Sequence, residues 1–432
     1  MQESDAHEST PSAPDDGTAS APSEAAPSAA GEAAGSAAGA EATAPAPSEP
    51  SPPATTGPAA EPRRCRLRFT GTGEEYFGIW IVNLLLTIVT LGIYSAWAKV
   101  RKMQYFYRNT QLDRSGFEYH GNPVAILKGR LLAAGLLIAY NVALKTLGAV
   151  ALIVVLAVIA AVPWLLTQSY RFRLRNSSYR GLRFRFEGPV SEAYLFIGLP
   201  MILMLAPSAL IQSGVAGDPQ HSDPMFGIFI GGLYLMLAVL WPYLHFSFKR
   251  WQHGNAFYGT ARGRFAARPG EFYRAYGAAW GIALFCGILA GIVAPRIFGV
   301  AGSSTGGSFA RGFGFVLVAI PFYLVAIWVG SIVTARIQNA AWSGTRIEGV
   351  AFAGDMRAGR LMGITLGNVV MIVLSLGLLI PFAVMRSMKY KIESIEVLDA
   401  DALAQFVGDD AGSSVGALGE GAVDVMDFDF GL

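Results

Sequence analysis

Long apolar stretches alternate with short polar segments between residues 77 and 385. A helix that crosses a bilayer needs about 20 mostly apolar residues. The pattern therefore predicts an all-α, multi-pass membrane protein with about eight transmembrane helices. The predicted helices are Phe77–Ala98, Val124–Leu144, Leu147–Thr167, Val190–Gln212, Met225–Phe248, Phe272–Ala294, Phe313–Ala335 and Leu361–Met385.

The polar segments between these stretches alternate between basic and nearly uncharged. All of the 33 lysines and arginines except Lys145, Arg296 and Arg311 lie in the basic set or flank the first and last stretches. Loops rich in lysine and arginine stay on the cytoplasmic side of a membrane. We therefore expect the basic loops to be cytoplasmic.

Short strands are predicted inside the basic loops. Leu182–Phe186 alternates strictly between apolar and basic residues, and Phe117–Tyr119 repeats this pattern in miniature. Such alternation with aromatic residues is typical of strands, and the neighbouring Asn and Gly residues favour turns. We expect small cytosolic β-hairpins, which could join in one sheet because an isolated hairpin is only marginally stable.

Four basic loops share an Asn followed, three positions later, by an apolar or aromatic residue, and in three of them by a nearby Gly. Such recurrence is typical of one structural unit used several times. The four copies are Asn109/Leu112, Asn176/Tyr179/Gly181, Asn255/Tyr258/Gly259 and Asn339/Trp342/Gly344.

The first and last apolar stretches also resemble each other, at a constant offset of 285 residues. If each crosses once, both chain ends and their flanking bases lie outside; if each bends at Leu91-Gly92 and Leu376-Gly377, both ends are cytosolic. Length favours the first alternative and charge the second. The matching pairs are Asn83/Asn368, Leu91/Leu376, Gly92/Gly377, Arg101/Arg386, Met103/Met388 and Tyr105/Tyr390.

Composition supports this assignment and adds two tails. Of the 432 residues, 53% are hydrophobic and 15% charged, whereas soluble domains carry about 25% charged residues. Residues 1–62 and 399–432 contain acidic residues but no lysine or arginine. They are predicted to be disordered, because such segments bury too little apolar surface to offset chain entropy. Residues 63–398 form the predicted membrane domain.

Arginine and lysine interleaved with aromatic residues next to apolar stretches indicate contact with anionic lipid headgroups. Nucleic acid is not an expected partner. Small residues four apart, as in Gly277–Gly281, fit either a compact bundle or a homo-oligomer. The expected lipid contacts are Lys99, Arg101, Lys102, Arg171, Arg173, Arg175, Lys249 and Arg250.

The search for chemistry yields no expected catalytic residue, cofactor or metal site. Cys65 and Cys286 form no disulfide framework, and His245 and His253 lack a metal-binding pattern. Asn83 and Asn368 are polar residues deep in apolar stretches. They either form hydrogen bonds between helices or line a small polar site in the membrane.

One long motif carries a family resemblance. Phe69–Asn83 reads FTGTGEEYFGIWIVN, and it is followed by Thr90–Arg101 (TLGIYSAWAKVR), Tyr105–Thr110 (YFYRNT) and Phe117–Gly121 (FEYHG). These residues resemble the YjgN-like family of bacterial inner-membrane proteins of unknown function, with similarity over roughly residues 68–398. The resemblance implies a multi-pass protein of a Gram-negative inner membrane and no known reaction.

The combined observations favour a non-enzymatic membrane protein that has a structural role or contacts lipids or a partner. The alternative is a transporter or channel for a small or lipophilic solute, which would use Asn83 and Asn368.

Overall fold

The computed structural model describes residues 63–146, 151–212, 224–302 and 307–406. Both tails predicted to be disordered lie outside these ranges, apart from residues 399–406. The helices are α1 Gly73–Val89, α2 Ser95–Asn109, α3 Pro123–Thr146, α4 Ala151–Arg175, α5 Val190–Ala193, α6 Leu199–Gln212, α7 Pro224–Gly254, α8 Pro269–Gly302, α9 Gly307–Ser343, α10 Ala358–Leu374 and α11 Ile380–Glu393. A π-helical stretch, Tyr194–Gly198, joins α5 to α6, and a 3₁₀ helix spans Ala400–Gln405.

The strands form one sheet that closes on itself. Its order is β1-β11-β10-β9-β8-β7-β6-β5-β4-β3-β2, and every pairing is antiparallel. Because β1 and β2 are separated by Leu67 alone, the two edges of the sheet meet in one stretch of chain. The strands are β1 Arg64–Arg66, β2 Arg68–Phe69, β3 Thr110–Leu112, β4 Ser115–Tyr119, β5 Ser177–Tyr179, β6 Leu182–Phe186, β7 Ala256–Tyr258, β8 Ala261–Phe265, β9 Thr345–Ile347, β10 Val350–Gly354 and β11 Ile395–Leu398.

This barrel corrects the all-α prediction. The expected strands at Phe117–Tyr119 and Leu182–Phe186 are confirmed within β4 and β6. They belong to a closed barrel rather than to separate hairpins, because each hairpin also pairs with the next one, as Phe117 does with Tyr179. Closure removes the unpaired edges that an open sheet exposes.

Two-residue turns connect β3 to β4, β5 to β6, β7 to β8 and β9 to β10. In three of these turns both central residues have positive φ, as type I′ turns require. Gly181 and Gly349 meet this requirement readily, with φ of 80° and 88°. Asp113 and Arg114 adopt it as non-glycine residues.

Five strand–helical hairpin–strand units make up the described chain. Each strand that enters a helical hairpin is paired with the strand that leaves it, as β4 is with β5 across α3 and α4. At each junction, the residue after the first strand donates its backbone N–H to the residue just before the second. These five bonds are Thr70–Asn109 (2.9 Å), His120–Asn176 (2.7 Å), Glu187–Asn255 (3.0 Å), Ala266–Gly344 (2.7 Å) and Asp355–Ser394 (2.8 Å).

The described residues contain five helices long and apolar enough to cross a membrane, and not the eight predicted. A membrane protein is confirmed, while the number of spans is corrected. The segment Val190–Leu205 is a shorter apolar helix, interrupted by the π-helical stretch. The five long spans are Pro123–Ala143, Ile153–Arg175, Gly227–Gly254, Pro269–Val293 and Ala319–Ser343.

The first and last apolar stretches each fold back on themselves instead of forming one straight helix. The Tyr76 ring of α1 stacks on the Tyr105 ring of α2 with centroids 5.6 Å apart, which makes the two helices antiparallel. The 17 residues of α1 give it a length of about 25 Å, which is less than the roughly 30 Å of the hydrocarbon core. In α10 and α11 the Asn368 Nδ2 donates to the Ala383 carbonyl at 2.9 Å across the same kind of bend.

The two bends have the same geometry. Leu91 and Leu376 have φ of 51° and 50°, and Gly92 and Gly377 have φ of 91° and 90°. Backbone hydrogen bonds close both bends. The Gly92 N–H donates to the Thr87 carbonyl at 2.7 Å, and the Gly377 N–H donates to the Ile372 carbonyl at 2.8 Å. Such internal pairing leaves fewer backbone groups of each turn without a hydrogen bond.

The fourth copy of the loop pattern is displaced from its predicted position. Asn109, Asn176 and Asn255 each donate their side-chain amide to the carbonyl four residues earlier, at 2.9, 2.8 and 3.0 Å. In the fourth unit Gly344 occupies this place, because α9 continues to Ser343. Asn339 lies inside α9. Its Nδ2 donates to the Met356 carbonyl, and its Oδ1 accepts from the Met356 backbone N–H.

Candidate functional site: an apolar cavity inside the barrel

A cavity of about 310 Å³ lies inside the barrel. Successive side chains of a strand point to opposite faces, and the inward positions of these strands are mostly apolar or aromatic. The side chains that line the cavity include Leu67, Leu112, Phe117, Tyr179, Phe184, Tyr258, Ile347, Phe352, Ile395 and Val397.

Aromatic rings from neighbouring units form the wall. Phe117 stacks on Tyr179 with centroids 4.7 Å apart, and Phe184 packs against Tyr258 at 5.0 Å. Trp342 packs against Phe352 at 5.5 Å elsewhere on the wall. The wall is largely apolar, which suits a ligand that offers carbon surface.

Two tyrosine hydroxyls donate hydrogen bonds to backbone carbonyls of the barrel. Tyr258 donates to the Tyr179 carbonyl at 3.0 Å, and Tyr179 donates to the Leu112 carbonyl at 2.8 Å. Burial raises the pKa of Tyr258 to about 12 and also raises the pKa of Tyr179. Both phenols therefore stay neutral and serve as structural donors.

The chain after β11 covers the cavity on the side of the hairpin turns. Leu403 of the 3₁₀ helix lines the cavity, and the Phe406 ring contacts Tyr258 at 5.7 Å. Arg63 holds this segment through Asp401 at 2.9 Å and also binds Asp113 at 3.0 Å. The hydrogen bond from Arg180 and the charge of Arg63 lower the pKa of Asp113.

The last turns of five helices surround the opposite side of the cavity. We call this side the rim. A helix C-terminus carries a partial negative charge from its unpaired carbonyls, which favours a nearby cationic side chain such as that of Lys249. The lining residues contributed there are Phe106 and Tyr107 of α2, Tyr170 and Leu174 of α4, Gln252 and His253 of α7, Trp342 of α9, and Met388 and Ile392 of α11.

Lys249 lies one helical turn from this rim and is only 6% exposed. Its Nζ donates to Gln252 Oε1 at 3.0 Å. We expected Lys249 to contact lipid headgroups, and this contact stays a prediction. In the structure its ammonium is buried and lies one hydrogen bond away from the cavity wall.

The other basic residues expected to contact lipid lie nearer the surface. Arg101, Lys102 and Arg250 are exposed, whereas Lys99, Arg171, Arg173 and Arg175 are half-buried. Arg171 donates to the Gly188 carbonyl at 3.2 Å, which fixes part of its side chain to the barrel. Lipid contact by these seven residues stays a prediction.

Asn83 and Asn368 are both buried, at 8% and 7% exposure. Asn368 Nδ2 donates to the Ala383 carbonyl and to Ser387 Oγ at 2.8 Å, so its amide ties α10 to α11. Neither asparagine lines either of the two described cavities.

A second, polar cleft of about 230 Å³ lies outside the barrel beside α10 and α11. Arg66, Arg357 and Arg360 line it together with Asp355 and Glu393. Arg66 already pairs with Asp355 and Glu396, so much of the charge is neutralised internally. Across the described ranges, no group of three or more His, Cys, Asp or Glu residues is placed to hold a metal ion.

The cavity was not predicted from the sequence. Its signal was present in the period-two aromatic positions, such as Phe117, Phe184 and Tyr258. Periodicity shows that the alternate residues of one strand share a face, but not that eleven strands close around one space.

Comparison with known proteins places this architecture in a family. The model of a family described as a bacterial protein of unknown function (DUF898) matches residues 64–425. The chain belongs to the DUF898 family. The resemblance to YjgN-like proteins is thereby confirmed, and DUF898 provides no established reaction against which to test the cavity.

Curated relatives share part of the chain. The inner membrane protein YjgN of Salmonella typhimurium (strain LT2) is 34% identical over 145 residues, 32% of this chain and 36% of the relative. The inner membrane protein YjgN of Escherichia coli K12 is 27% identical over 207 residues, 43% and 51% of the two chains. This DUF898 chain thus aligns with about half or less of each relative's length. No solved structure matches it.

Proposed function

We propose that this protein is a non-enzymatic, lipid-binding protein of the bacterial inner membrane, and that its barrel holds one apolar chain. The observation that carries this proposal is the apolar, aromatic cavity at the point where five helix ends meet the barrel. Its volume of about 310 Å³ lies at the lower end of the range for small-molecule pockets, roughly 300–1,000 Å³. It therefore suits a single slender chain better than a two-chain lipid.

Exposed basic side chains near the barrel support the same proposal. Arg101, Lys102 and Arg250 are exposed on helices that lead into the barrel. Each such base near an anionic membrane surface contributes about 1 kcal/mol of attraction. We propose that the barrel and basic loops face the cytosol, with anionic headgroups against these side chains. We also propose that the small-residue faces of α8 allow self-association.

The transporter alternative has less support. It required a polar path past Asn83 and Asn368, yet these side chains lie in separate helical hairpins and line neither described cavity.

Photolabelling tests the proposal. The full-length protein in dodecyl maltoside is exposed to hexadecanol that carries a terminal diazirine, and mass spectrometry locates the adducts. We expect adducts at cavity residues such as Phe117, Phe184 and Phe352. Ala256→Phe, which fills the cavity, should abolish them.

Ala353→Phe is the matched control. Ala353 follows the cavity residue Phe352 on β10, so its side chain points to the outer face. Adducts should persist in this variant. Wild-type labelling confined to the lipid-facing helices would overturn the proposal.

A further inference from the structure

Lys249 is a buried cation without an anionic partner. It is 6% exposed, and its one hydrogen bond goes to Gln252 Oε1 at 3.0 Å. Among the described residues, no carboxylate forms an ion pair with it. Lysine is almost never buried in this way unless it is paired.

A second ammonium makes the lack of an anionic partner at Lys249 more costly. Lys391 of α11 repels it, and Lys249 in turn acts on the rings of His245 and His253. An anion placed near Lys249 and Lys391 would relieve the repulsion between these two ammonium groups.

Gln252 connects this cluster to the cavity. Its side chain lines the cavity and is 7% exposed. Oε1 is occupied by Lys249, while the described residues supply no acceptor for the amide nitrogen. The amide N–H pair thus lies at the cavity wall, and the ammonium lies directly behind it.

We propose that Lys249 and Gln252 bind the anionic head of a single-chain amphiphile, a carboxylate or a phosphate, whose alkyl chain occupies the barrel. This inference rests on the proposed function, because it assigns the head of the molecule whose chain fills the cavity. Lys391 supplies a second positive charge near the head.

The physics of the bilayer explains why a head site is needed. A chain that moves from lipid into an apolar cavity gains little, since lipid tails are as apolar as the cavity wall. Selective capture from a membrane must therefore come from the polar end. Charge-assisted hydrogen bonds in a poorly solvated site provide such selectivity.

Competition against the diazirine hexadecanol tests the head site. The competitors are palmitate, hexadecyl phosphate, lysophosphatidylglycerol and unlabelled hexadecanol, all added to the full chain in dodecyl maltoside. We expect at least one anionic competitor to displace the probe at a tenfold or lower concentration than hexadecanol. Palmitate alone would indicate a carboxylate, and the two phosphates alone would indicate a phosphate head.

Variants assign the effect to residues. Lys249→Met should abolish the anionic advantage while hexadecanol still competes, and Lys249→Arg should retain part of it. Lys389→Met, an exposed lysine on α11, is the control and should behave like the wild type. Gln252→Leu, which retains the lysine, should reduce the advantage severalfold and gives a second test if Lys249→Met does not fold.

The outcomes separate the two proposals. Equal displacement by anionic and neutral competitors in the wild type would overturn the head site, while cavity labelling by hexadecanol would still support chain binding. An advantage that survives in both Lys249→Met and Gln252→Leu would also overturn it. If the probe fails to label the cavity at all, the proposed function itself fails.

Discussion

The hydroxyl of Tyr258 donates a hydrogen bond to the backbone carbonyl of Tyr179 across 3.0 Å. Tyr179 repeats the contact by donating to Leu112 at 2.8 Å. The three residues end strands β3, β5 and β7, which belong to successive units. Side-chain hydroxyls thus link alternate strands of the barrel beyond the bonds of the sheet itself.

Tyr258→Phe should lower the stability of the barrel. The substitution leaves the Tyr179 carbonyl without this donor, at a cost of about 1–2 kcal/mol. Thermal unfolding of the purified protein in detergent measures the change. Tyr323→Phe, at a residue 66% exposed on α9, is the control and should leave the midpoint within error. Equal midpoints for the two variants would contradict the role of this bond.

The raised pKa of Tyr258 predicts that the stability of the protein falls at alkaline pH. Burial raises the pKa of Tyr258 from 10.0 to about 12. The folded state therefore keeps its proton where the unfolded state loses it, so stability falls between pH 10 and 12. Unfolding midpoints between pH 8 and 11.5 should decline less steeply in Tyr258→Phe than in the wild type. Parallel declines would exclude Tyr258 as a source of this dependence.

Gly377→Ala should destabilise the bend between α10 and α11. The residue has φ of 90°, where an added Cβ is strained, and we expect a cost of about 1 kcal/mol or more. Gly363→Ala in the adjoining helix meets open space and should be neutral or stabilising by up to about 1 kcal/mol. Urea or thermal unfolding compares the two, and a Gly377→Ala variant as stable as Gly363→Ala would refute the strain.

Asn368→Leu should loosen the last helical hairpin. It removes two hydrogen bonds, to Ala383 and Ser387, and bonds of this type between membrane helices average about 0.6 kcal/mol. Asn141→Leu is the matched control, because the exposed Asn141 donates only within its own helix to Leu137. Faster proteolysis or hydrogen exchange in α10 and α11 should follow Asn368→Leu alone. Unchanged exchange there would mean that the amide does not hold the hairpin.

Labelling of single cysteines should place both ends of the described chain on one side of the membrane. In a variant without Cys65 and Cys286, we expect cysteine at Arg64, Glu348 or Lys389 to react with an impermeant maleimide only after the cells are opened. Cysteine at Lys145, which lies at the far end of α3, should react in intact cells. Labelling of position 64 in intact cells would contradict the bent first stretch or the proposed cytoplasmic barrel.

Local patterns predicted local structure well. The alternation in Leu182–Phe186 identified β6, and the turn residues around Gly181 identified its hairpin. The offset between Leu91-Gly92 and Leu376-Gly377 pointed to two places with the same backbone, although the bend remained one of two alternatives. The strand and turn signals are contained within a few consecutive residues, and the bend signal is a short motif that occurs twice.

The sequence by itself therefore determined that this chain enters a membrane, where two of its strands lie and which loops are basic, because hydropathy, periodicity and charge are properties of neighbouring residues. The tertiary structure decided that Arg66 meets Glu396, 330 residues away, and so closes the barrel. It also decided that the first and last stretches bend and that Lys249 is buried beside Gln252. These features depend on packing and pairing between distant segments, and such contacts have no period along the chain.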